Sequence, residues 1–427
     1  MNLSKELALF LNQEAEWRHQ TINLNASENY TSPLVKNLVG LHPSYDFYDF
    51  PPSGGIILGP WNFSDAIYLE KISKHINKLS KNLLSCPILD TKAKGGQVTE
   101  IAILSALAKR NDKVFYIKEE DGGHFGLNFI SKKIGVMLIP IYFNNKTYKI
   151  DVENTIKKIR KVWKNTTSRK LIILSQSFIL REQPLKNLVE NIKNDFHNTI
   201  ITYDISHILG LIIGKKLKNP IQEGVDIIHG STHKTFPGPQ KGIIGFPIFL
   251  HKNIIKNIQD ALSPGLQSNC GTSEVLALGA ALEEMKTFGE SYAQTICENS
   301  KYLANKLYSL GLKIPGKKFG FTETHQVWII IGTEEKTWQA CSKLHRAGIR
   351  VYPTYLPFVK IWGLRLGTNA ITRLGFSIND IETIAKWIID VLVKNIKPEN
   401  IFKNVQSFMK NFPIKKVSFT FKKTNKK

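Results

Sequence analysis

Short aliphatic and β-branched runs alternate with amphipathic helical stretches through the interior of the chain. Four of these runs, at residues 114–117, 171–174, 199–203 and 225–228, are each followed by polar residues. Alternation of this kind is typical of an α/β fold with a mainly parallel central sheet.

Beyond about residue 282 the pattern becomes that of a smaller α+β domain. Its predicted elements are a helix ending near residue 311, a helix over 337–346, and strands at 327–331, 349–352 and 364–366. We therefore expect an N-terminal helical arm over residues 1–35, a large α/β domain over 36–282 and a small C-terminal domain over 283–427.

Polar side chains follow the four runs at the points where the predicted strands end. In open α/β sheets this edge is where ligands bind, so four strands with such endings predict one shared site rather than four ordinary turns. The candidate residues at this edge are His124, Ser177, Asp204, His207, Ser231, His233 and Lys234.

Asp204 and Lys234 together suit pyridoxal phosphate. This cofactor needs a lysine for its Schiff base and a carboxylate that keeps its pyridine nitrogen protonated. The segment Gly95-Gly96-Gln97 opens a predicted helix over 98–109, where backbone N–H groups favour a phosphate. A buried Asp–Lys ion pair and a plain helix-start turn are the simpler alternatives.

The histidines near Asp204 also raise the question of a metal site. His207, His229 and His233 are of a residue type that often ligates metals. Their spacing matches no helical ligand pair and no HExxH pattern, so we expect no metal.

The composition indicates a soluble protein. The chain has 427 residues, 42% of them hydrophobic, and its longest apolar run, 242–250, is well short of the roughly 20 residues of a membrane span. Acidic residues among the first twenty do not match a signal or transit peptide. The four cysteines form no CxxC pair. We expect a cytoplasmic protein that starts at Met1 and has no membrane partner.

The chain is strongly basic, with 58 lysines and arginines against 35 acidic residues and a net charge of +23. These residues are spread along the whole chain, with denser patches near 157–164 and 415–427, and form neither an aromatic-interleaved stripe nor a helix-turn-helix pattern. We expect no nucleic-acid partner. A nucleic-acid-binding protein on a disabled enzyme fold is the alternative from a different functional class.

Several motifs occur in order along nearly the whole chain: Asn25-Ala26-Ser27-Glu28-Asn29-Tyr30, Asp121-Gly122-Gly123-His124, Tyr203-Asp204-Ile205-Ser206-His207, Gly230-Ser231-Thr232-His233-Lys234-Thr235, Pro264-Gly265-Leu266-Gln267 and Gly363-Leu364-Arg365-Leu366-Gly367. Together they resemble the serine hydroxymethyltransferase branch of the fold-type I pyridoxal-phosphate enzymes. This resemblance implies an aspartate aminotransferase-like fold and pyridoxal 5'-phosphate as cofactor.

The same resemblance implies a role for each candidate residue. Lys234 would form the Schiff base, Asp204 would pair with the pyridine nitrogen, and His124 would stack on the ring. The other cofactor contacts would be Gly95, Gly96 and Gln97 around the phosphate, His207 and Ser177 beside the 3'-oxygen, and Ser231 and His233. Ser27 and Arg365 would bind the amino acid carboxylate. A guanidinium suits this task because it can donate two parallel hydrogen bonds to a carboxylate.

The chain departs from hydroxymethyltransferases where those enzymes handle folate. Residues 45–52 replace the stretch with the catalytic glutamate, residues 351–355 replace the pterin loop, Ser268-Asn269 replaces a Gly-Gly pair, and Gln240 replaces an arginine. In these departures the chain resembles instead the L-threonine transaldolases, as it does in Gln176-Ser177-Phe178 and Phe319-Gly320-Phe321-Thr322.

The resemblance to that branch implies a homodimer with active sites near the subunit interface. The enzyme would cleave L-threonine to acetaldehyde and pass the remaining glycyl group to an acceptor aldehyde, giving a β-hydroxy-α-amino acid. His124 and Tyr48 are the candidates for proton handling and aldehyde positioning. Serine hydroxymethyltransferase and threonine aldolase are the alternative activities.

Overall fold

The computed structural model describes residues 4–41, 67–164, 170–268 and 270–421. Tyr48 lies outside the described residues. The chain divides into two compact units. The terminal unit comprises Met1–Tyr30 and Thr295–Phe419, and the central unit comprises Thr31–Gln294 and Thr420–Lys427.

The strands and helices follow one another along both units. The strands are β1 (Ile22–Asn23), β2 (Ile88–Asp90), β3 (Lys113–Tyr116), β4 (Met137–Pro140), β5 (Phe143–Asn144), β6 (Lys149–Ile150), β7 (Leu171–Leu174), β8 (Ile200–Asp204), β9 (Ile227–Ser231), β10 (Gly242–Phe246), β11 (Gln326–Gly332), β12 (Ile349–Arg350), β13 (Tyr352–Leu356) and β14 (Ile361–Gly367). The helices are α1 (Lys5–Gln20), α2 (Pro33–Leu41), α3 (Ile67–Leu84), α4 (Gly96–Leu107), α5 (Gly126–Ile134), α6 (Val152–Trp163), α7 (Leu185–Asp195), α8 (Leu209–Ile213), α9 (Lys252–Asp260), α10 (Thr272–Ser309), α11 (Glu334–Arg346), α12 (Asn369–Arg373), α13 (Ile378–Leu392) and α14 (Pro398–Met409).

A seven-stranded sheet in the order β2-β10-β9-β8-β7-β3-β4 forms the centre of the central unit. Strand β10 is antiparallel to both of its neighbours, and the remaining pairs are parallel. Strands β7 and β9 are buried at every position, as expected of central strands covered on both faces. The predicted α/β fold with a mainly parallel sheet is therefore confirmed.

The predicted strands are found close to their predicted positions, and β7 coincides with its prediction. The predicted strand over 349–352 is divided into β12 and β13, which belong to different sheets. Strand β9 starts at Ile227 and continues to Ser231 instead of ending at residue 228. Its antiparallel neighbour β10 explains the extension, since Ser231 and Gly230 pair with Gly242 and Ile243. Ser231 is thus the last residue of a strand rather than part of the loop after it.

A three-stranded antiparallel sheet in the order β11-β14-β13 is the main sheet of the terminal unit. Strand β1 pairs in parallel with β12, so the N-terminal segment is built into this unit. Ile22 and Leu24 accordingly belong to the same buried core as Leu364 and Ile384.

Two further findings concern membrane-spanning helices and the cysteines. No helix in the described ranges is long and apolar enough to cross a membrane. The four cysteines, Cys86, Cys270, Cys297 and Cys341, are buried free thiols.

Candidate active site

Strands β8 and β9 present Asp204 and Ser231 at their carboxyl ends. The Asp204 carboxylate is held by the backbone, since its Oδ1 accepts a hydrogen bond from Ser206 N at 2.7 Å. Ser206 Oγ in turn accepts one from Ser231 N at 2.8 Å. These contacts fix the carboxylate at the sheet edge and leave Oδ2 to bind a protonated ring nitrogen.

The first turn of α4 lies against the end of β9. Gly95 is the N-cap residue and supplies no side-chain cap, so the first N–H groups of the helix are not satisfied by a capping side chain. A Cβ at Gly96 would lie 2.9 Å from Ser231 N, which only a glycine avoids. Gln97 is exposed at the start of the helix. The arrangement suits an anion such as a phosphate.

The loop that carries His124 is held by the chain beyond β7. His124 N donates to Ser175 O at 3.1 Å, and Ser177 N donates to Gly122 O at 2.8 Å. Gly122 has a φ of +87°, a left-handed conformation that favours glycine. The structure thus brings the predicted residues His124 and Ser177 together.

Glu100 is a site residue that sequence reasoning missed. It lies on α4, is almost completely buried, and its Oε2 is 2.8 Å from His124 Nδ1. Burial lowers the pKa of His124, but the hydrogen bond and charge of Glu100, with the charge of Asp204, outweigh burial and leave the pKa above its usual value. An ionisable residue inside the apolar stretch of α4 was the signal that could have revealed it.

Lys234 and His207 lie in loops that are tied to each other. Thr235 Oγ1 donates to His207 O at 2.9 Å and accepts from Gly210 N at 3.1 Å. Burial and then the charge of Lys234 lower the pKa of His233, and the charge of Lys234 also opposes the rise in the pKa of His124. Lys234 therefore lies within electrostatic range of the residues predicted to surround the cofactor.

Two buried polar atoms bear on whether these residues fit pyridoxal phosphate. Ser231 Oγ and His233 Nδ1 have no hydrogen-bond partner within the described part of the chain. Burial, with the charge of Lys234, lowers the pKa of His233 to about 4, so its ring is neutral. Buried polar atoms of this kind normally bind a ligand or water. Gly95, Gly96 and Gln97 at the start of α4 form what we call the phosphate cradle. Together with this cradle, Asp204 and Lys234, the two atoms fit the cofactor.

A buried lysine that was not predicted, Lys241, also lies near this site. Lys241 is completely buried, and its Nζ donates to Cys270 O. Burial lowers the pKa of Lys241 to about 8. The next residue, Gly242, donates to Ala93 O at 2.9 Å, just before the phosphate cradle.

The predicted carboxylate-binding residues belong to the terminal unit. Arg365 lies in β14, and its Nη2 donates to Ser27 Oγ at 2.9 Å. The guanidinium carbon lies 5.1 Å from the centre of the Tyr352 ring. Ser27 is held in a turn, since its N donates to Asn25 Oδ1 at 3.1 Å and Asn25 Nδ2 donates to Glu28 Oε1 at 2.8 Å.

No group of three or more His, Cys, Asp or Glu side chains suited to a metal ion occurs among residues 4–41, 67–164, 170–268 and 270–421. His229, one of the histidines considered for a metal, makes another contact, since its Nδ1 is 3.0 Å from Thr99 Oγ1.

Comparison with known proteins gives consistent results. Residues 1–388 match the serine hydroxymethyltransferase family model. The chain is 31% identical to serine hydroxymethyltransferase of Methanopyrus kandleri, over 95% of this chain and 92% of the relative, and 32% identical to that of Archaeoglobus fulgidus, over 93% and 89%. Among solved structures it is similar to L-threonine transaldolase from Pseudomonas fluorescens in its internal aldimine state, with 34% identity, a TM-score of 0.91 and coverage of 97% of this chain and 93% of that one.

Proposed function

This chain belongs to the serine hydroxymethyltransferase family, and within that family we propose that it acts as an L-threonine transaldolase. Membership of the family confirms the fold-type I architecture and the dependence on pyridoxal phosphate. The proposed reaction cleaves L-threonine to acetaldehyde and joins the remaining glycyl group to an acceptor aldehyde.

The observation that carries the proposal is the similarity to the solved transaldolase, which extends over 97% of this chain. The departures from the folate-handling pattern of hydroxymethyltransferases support it. One of them, the Val351–Tyr355 stretch, adjoins Arg365, because Tyr352 pairs with Arg365 across β13 and β14. By the resemblance described above, this stretch would replace the pterin loop of a folate enzyme.

When bound, pyridoxal phosphate supplies an electron-poor ring that stabilises negative charge on the α-carbon of an amino acid. Lys234 would hold the cofactor covalently through Nζ, and Gly95, Gly96 and Gln97 would hold its phosphate. Asp204 Oδ2 would keep a proton on the ring nitrogen, because an ionised carboxylate beside that nitrogen favours its charged form.

We propose Arg365 and Ser27 as the residues that bind the substrate carboxylate. Burial lowers the pKa of Arg365 to about 10, so its positive charge is costly in the absence of an anion. A carboxylate would offset that cost and accept two parallel hydrogen bonds from the planar guanidinium.

His124 is the proposed proton-handling residue. Its Nδ1 bonds to Glu100, so Nε2 is the atom available to the substrate. In threonine cleavage Nε2 would accept the proton of the substrate hydroxyl. When the glycyl group adds to the acceptor aldehyde, Nε2 would return a proton to the aldehyde oxygen. The role of Tyr48 in placing the aldehyde is kept as a proposal from the sequence.

A homodimer in the cytoplasm is also part of the proposal. None of the residues of α1 is buried, and Leu7, Phe10 and Leu11 are about half exposed on it. Exposed apolar side chains on one helix are consistent with a surface that a second copy covers.

The experiment supplies L-threonine and an aromatic aldehyde to the purified, cofactor-loaded protein without folate. We expect acetaldehyde release and a new β-hydroxy-α-amino acid, both identified by mass spectrometry. Acetaldehyde without an addition product would indicate a threonine aldolase instead.

Serine hydroxymethyltransferase is the second candidate, favoured by the names of the curated relatives. A parallel reaction with L-serine and tetrahydrofolate tests it. Conversion of serine to glycine that requires folate, with no product from the aromatic aldehyde, would overturn the transaldolase proposal.

A further inference from the structure

The cofactor has two anchors that lie on different elements of the central unit. Its phosphate is assigned to the first turn of α4, and its ring nitrogen to Asp204 at the end of β8. A cofactor held at both points would bind tightly only if the protein keeps the two anchors at a suitable separation.

His229 lies between these anchors. It is completely buried on β9, where its Cα is the cross-strand partner of Asp204, so both side chains project from the same face of the sheet. Its Nδ1 is 3.0 Å from the hydroxyl of Thr99, which lies in the first turn of α4. The hydrogen bond therefore joins the helix of one anchor to the strand beside the other.

Proton counting assigns the tautomer of His229. Thr99 Oγ1 donates its single proton to Gly96 O at 2.6 Å, so it can only accept from Nδ1. The other tautomer would place a hydrogen on Nε2, which has no hydrogen-bond partner among the described residues, and a buried unpaired N–H is costly. Burial lowers the pKa of His229 and so keeps its ring neutral. The charges of Asp204 and Glu100 partly oppose this lowering, and the charge of His124 adds to it.

We propose that the chain Gly96 O, Thr99 Oγ1, His229 Nδ1 is a positioning device that sets the distance between the phosphate cradle and Asp204. His229 and Thr99 act through the two anchors and not on the substrate. The proposal rests on the cofactor roles assigned above to Gly96 and Asp204, and it is independent of the choice between transaldolase and hydroxymethyltransferase.

The test compares Thr99→Val, which removes the hydroxyl and keeps the shape, with Thr99→Ser, which keeps the hydroxyl. The full-length apoprotein is titrated with pyridoxal phosphate, and thermal unfolding is followed with and without the cofactor. We expect Thr99→Val to raise the cofactor dissociation constant about tenfold and Thr99→Ser to change it less than about twofold. The melting temperature of the loaded Val variant should fall further than that of its apo form.

Two results would overturn the proposal. One is an unchanged dissociation constant in Thr99→Val with equal losses of melting temperature in the apo and loaded forms, which is the behaviour of a purely structural bond. The other is a Ser variant as weak as the Val variant. Neither readout uses threonine, so failure of the transaldolase proposal is detected separately.

A second variant keeps the inference testable if Thr99→Val does not fold. His229→Phe removes the same bond from the other side, and we expect a similar loss of cofactor affinity. In the double variant the loss of cofactor affinity should stay at about tenfold, because the two residues form one bond. Independent effects would multiply to a loss of about a hundredfold. Multiplying losses would contradict the proposal.

Discussion

The regions of the two units that carry the proposed site residues hold their charges in different ways. In the central unit, the carboxylate of Glu100 lies 2.8 Å from His124 and outweighs the effect of burial on that histidine. In the terminal unit, Arg365 donates to the neutral hydroxyl of Ser27, and burial lowers its pKa to about 10 with only partial opposition from Tyr352.

This difference separates charges that the protein itself balances from one that a ligand would stabilise. Acid–base groups that are paired before the substrate arrives can keep a defined protonation state. A buried guanidinium beside a hydroxyl gains most when a carboxylate binds. Changes in the central unit should therefore alter cofactor and proton chemistry, and changes in the terminal unit should alter substrate affinity.

Lys234→Ala should have the largest effect, and it should fall on the cofactor. Without Nζ the absorption band of the lysine-bound cofactor should be absent, and acetaldehyde release from threonine should drop by at least roughly 1000-fold, because no other group replaces a covalent amine. Absorbance spectra and an acetaldehyde assay measure the two quantities.

Lys241→Met is the matched control, since Lys241 is a completely buried lysine near the cradle and burial lowers its pKa to about 8. This variant should keep the absorption band. If Lys241→Met lost the band while Lys234→Ala kept it, the assignment of the Schiff-base lysine would be reversed.

Arg365→Lys should have the next largest effect, and this effect should be limited to substrate binding. Lysine keeps the charge but not the planar pair of donors, so we expect the KM for threonine to rise about 100-fold, with an unchanged cofactor spectrum. Steady-state kinetics give KM and kcat separately. Arg346→Lys, an exposed position in the same unit, should leave both unchanged. A normal KM in Arg365→Lys would remove the basis for the comparison.

The strand-end residues could be predicted because parallel strands bring their carboxyl ends to one edge. Runs of buried aliphatic residues located β7 and β8 and therefore Asp204. Glu100 could not be found in this way, because its role depends on how α4 packs beside His124. The pairing of Ser27 with Arg365 spans 338 positions in sequence, and it was inferred only from resemblance, since no local pattern encodes a contact that distant.

Glu100→Gln should have a moderate effect that depends on pH. Removing the charge of Glu100 leaves burial to dominate, so the pKa of His124 should fall. If Nε2 accepts the threonine hydroxyl proton, cleavage is lost as the pH falls through this pKa, and the acid limb of kcat/KM should move to lower pH. Glu120→Gln, at an exposed position in the short 3-10 helix Glu119–Asp121 before His124, is the control.

The same pair predicts a pH-dependent stability. Because the folded pKa of His124 is raised, its contribution is fully present below the unfolded value of about 6.5 and is lost as the pH rises through the folded pKa. Glu100→Gln should therefore lower the melting temperature most at acidic pH. A pH-independent loss would indicate that Glu100 contributes by packing alone.

Ser27→Ala should have the smallest effect, and this effect should be limited to the carboxylate-binding residues of the terminal unit. The variant removes one neutral hydrogen bond to Arg365, which is worth about 0.5–1.5 kcal/mol, so the KM for threonine should rise between about twofold and tenfold. Ser27→Thr keeps the hydroxyl and should stay closer to the wild type. A cofactor spectrum altered by Ser27→Ala would show that the two regions do not act separately, because a hydroxyl that only assists carboxylate binding has no influence on the lysine-bound cofactor. A KM increase as large as that of Arg365→Lys would instead make Ser27 an equal carboxylate ligand, and the charge of Arg365 would then no longer distinguish the terminal unit.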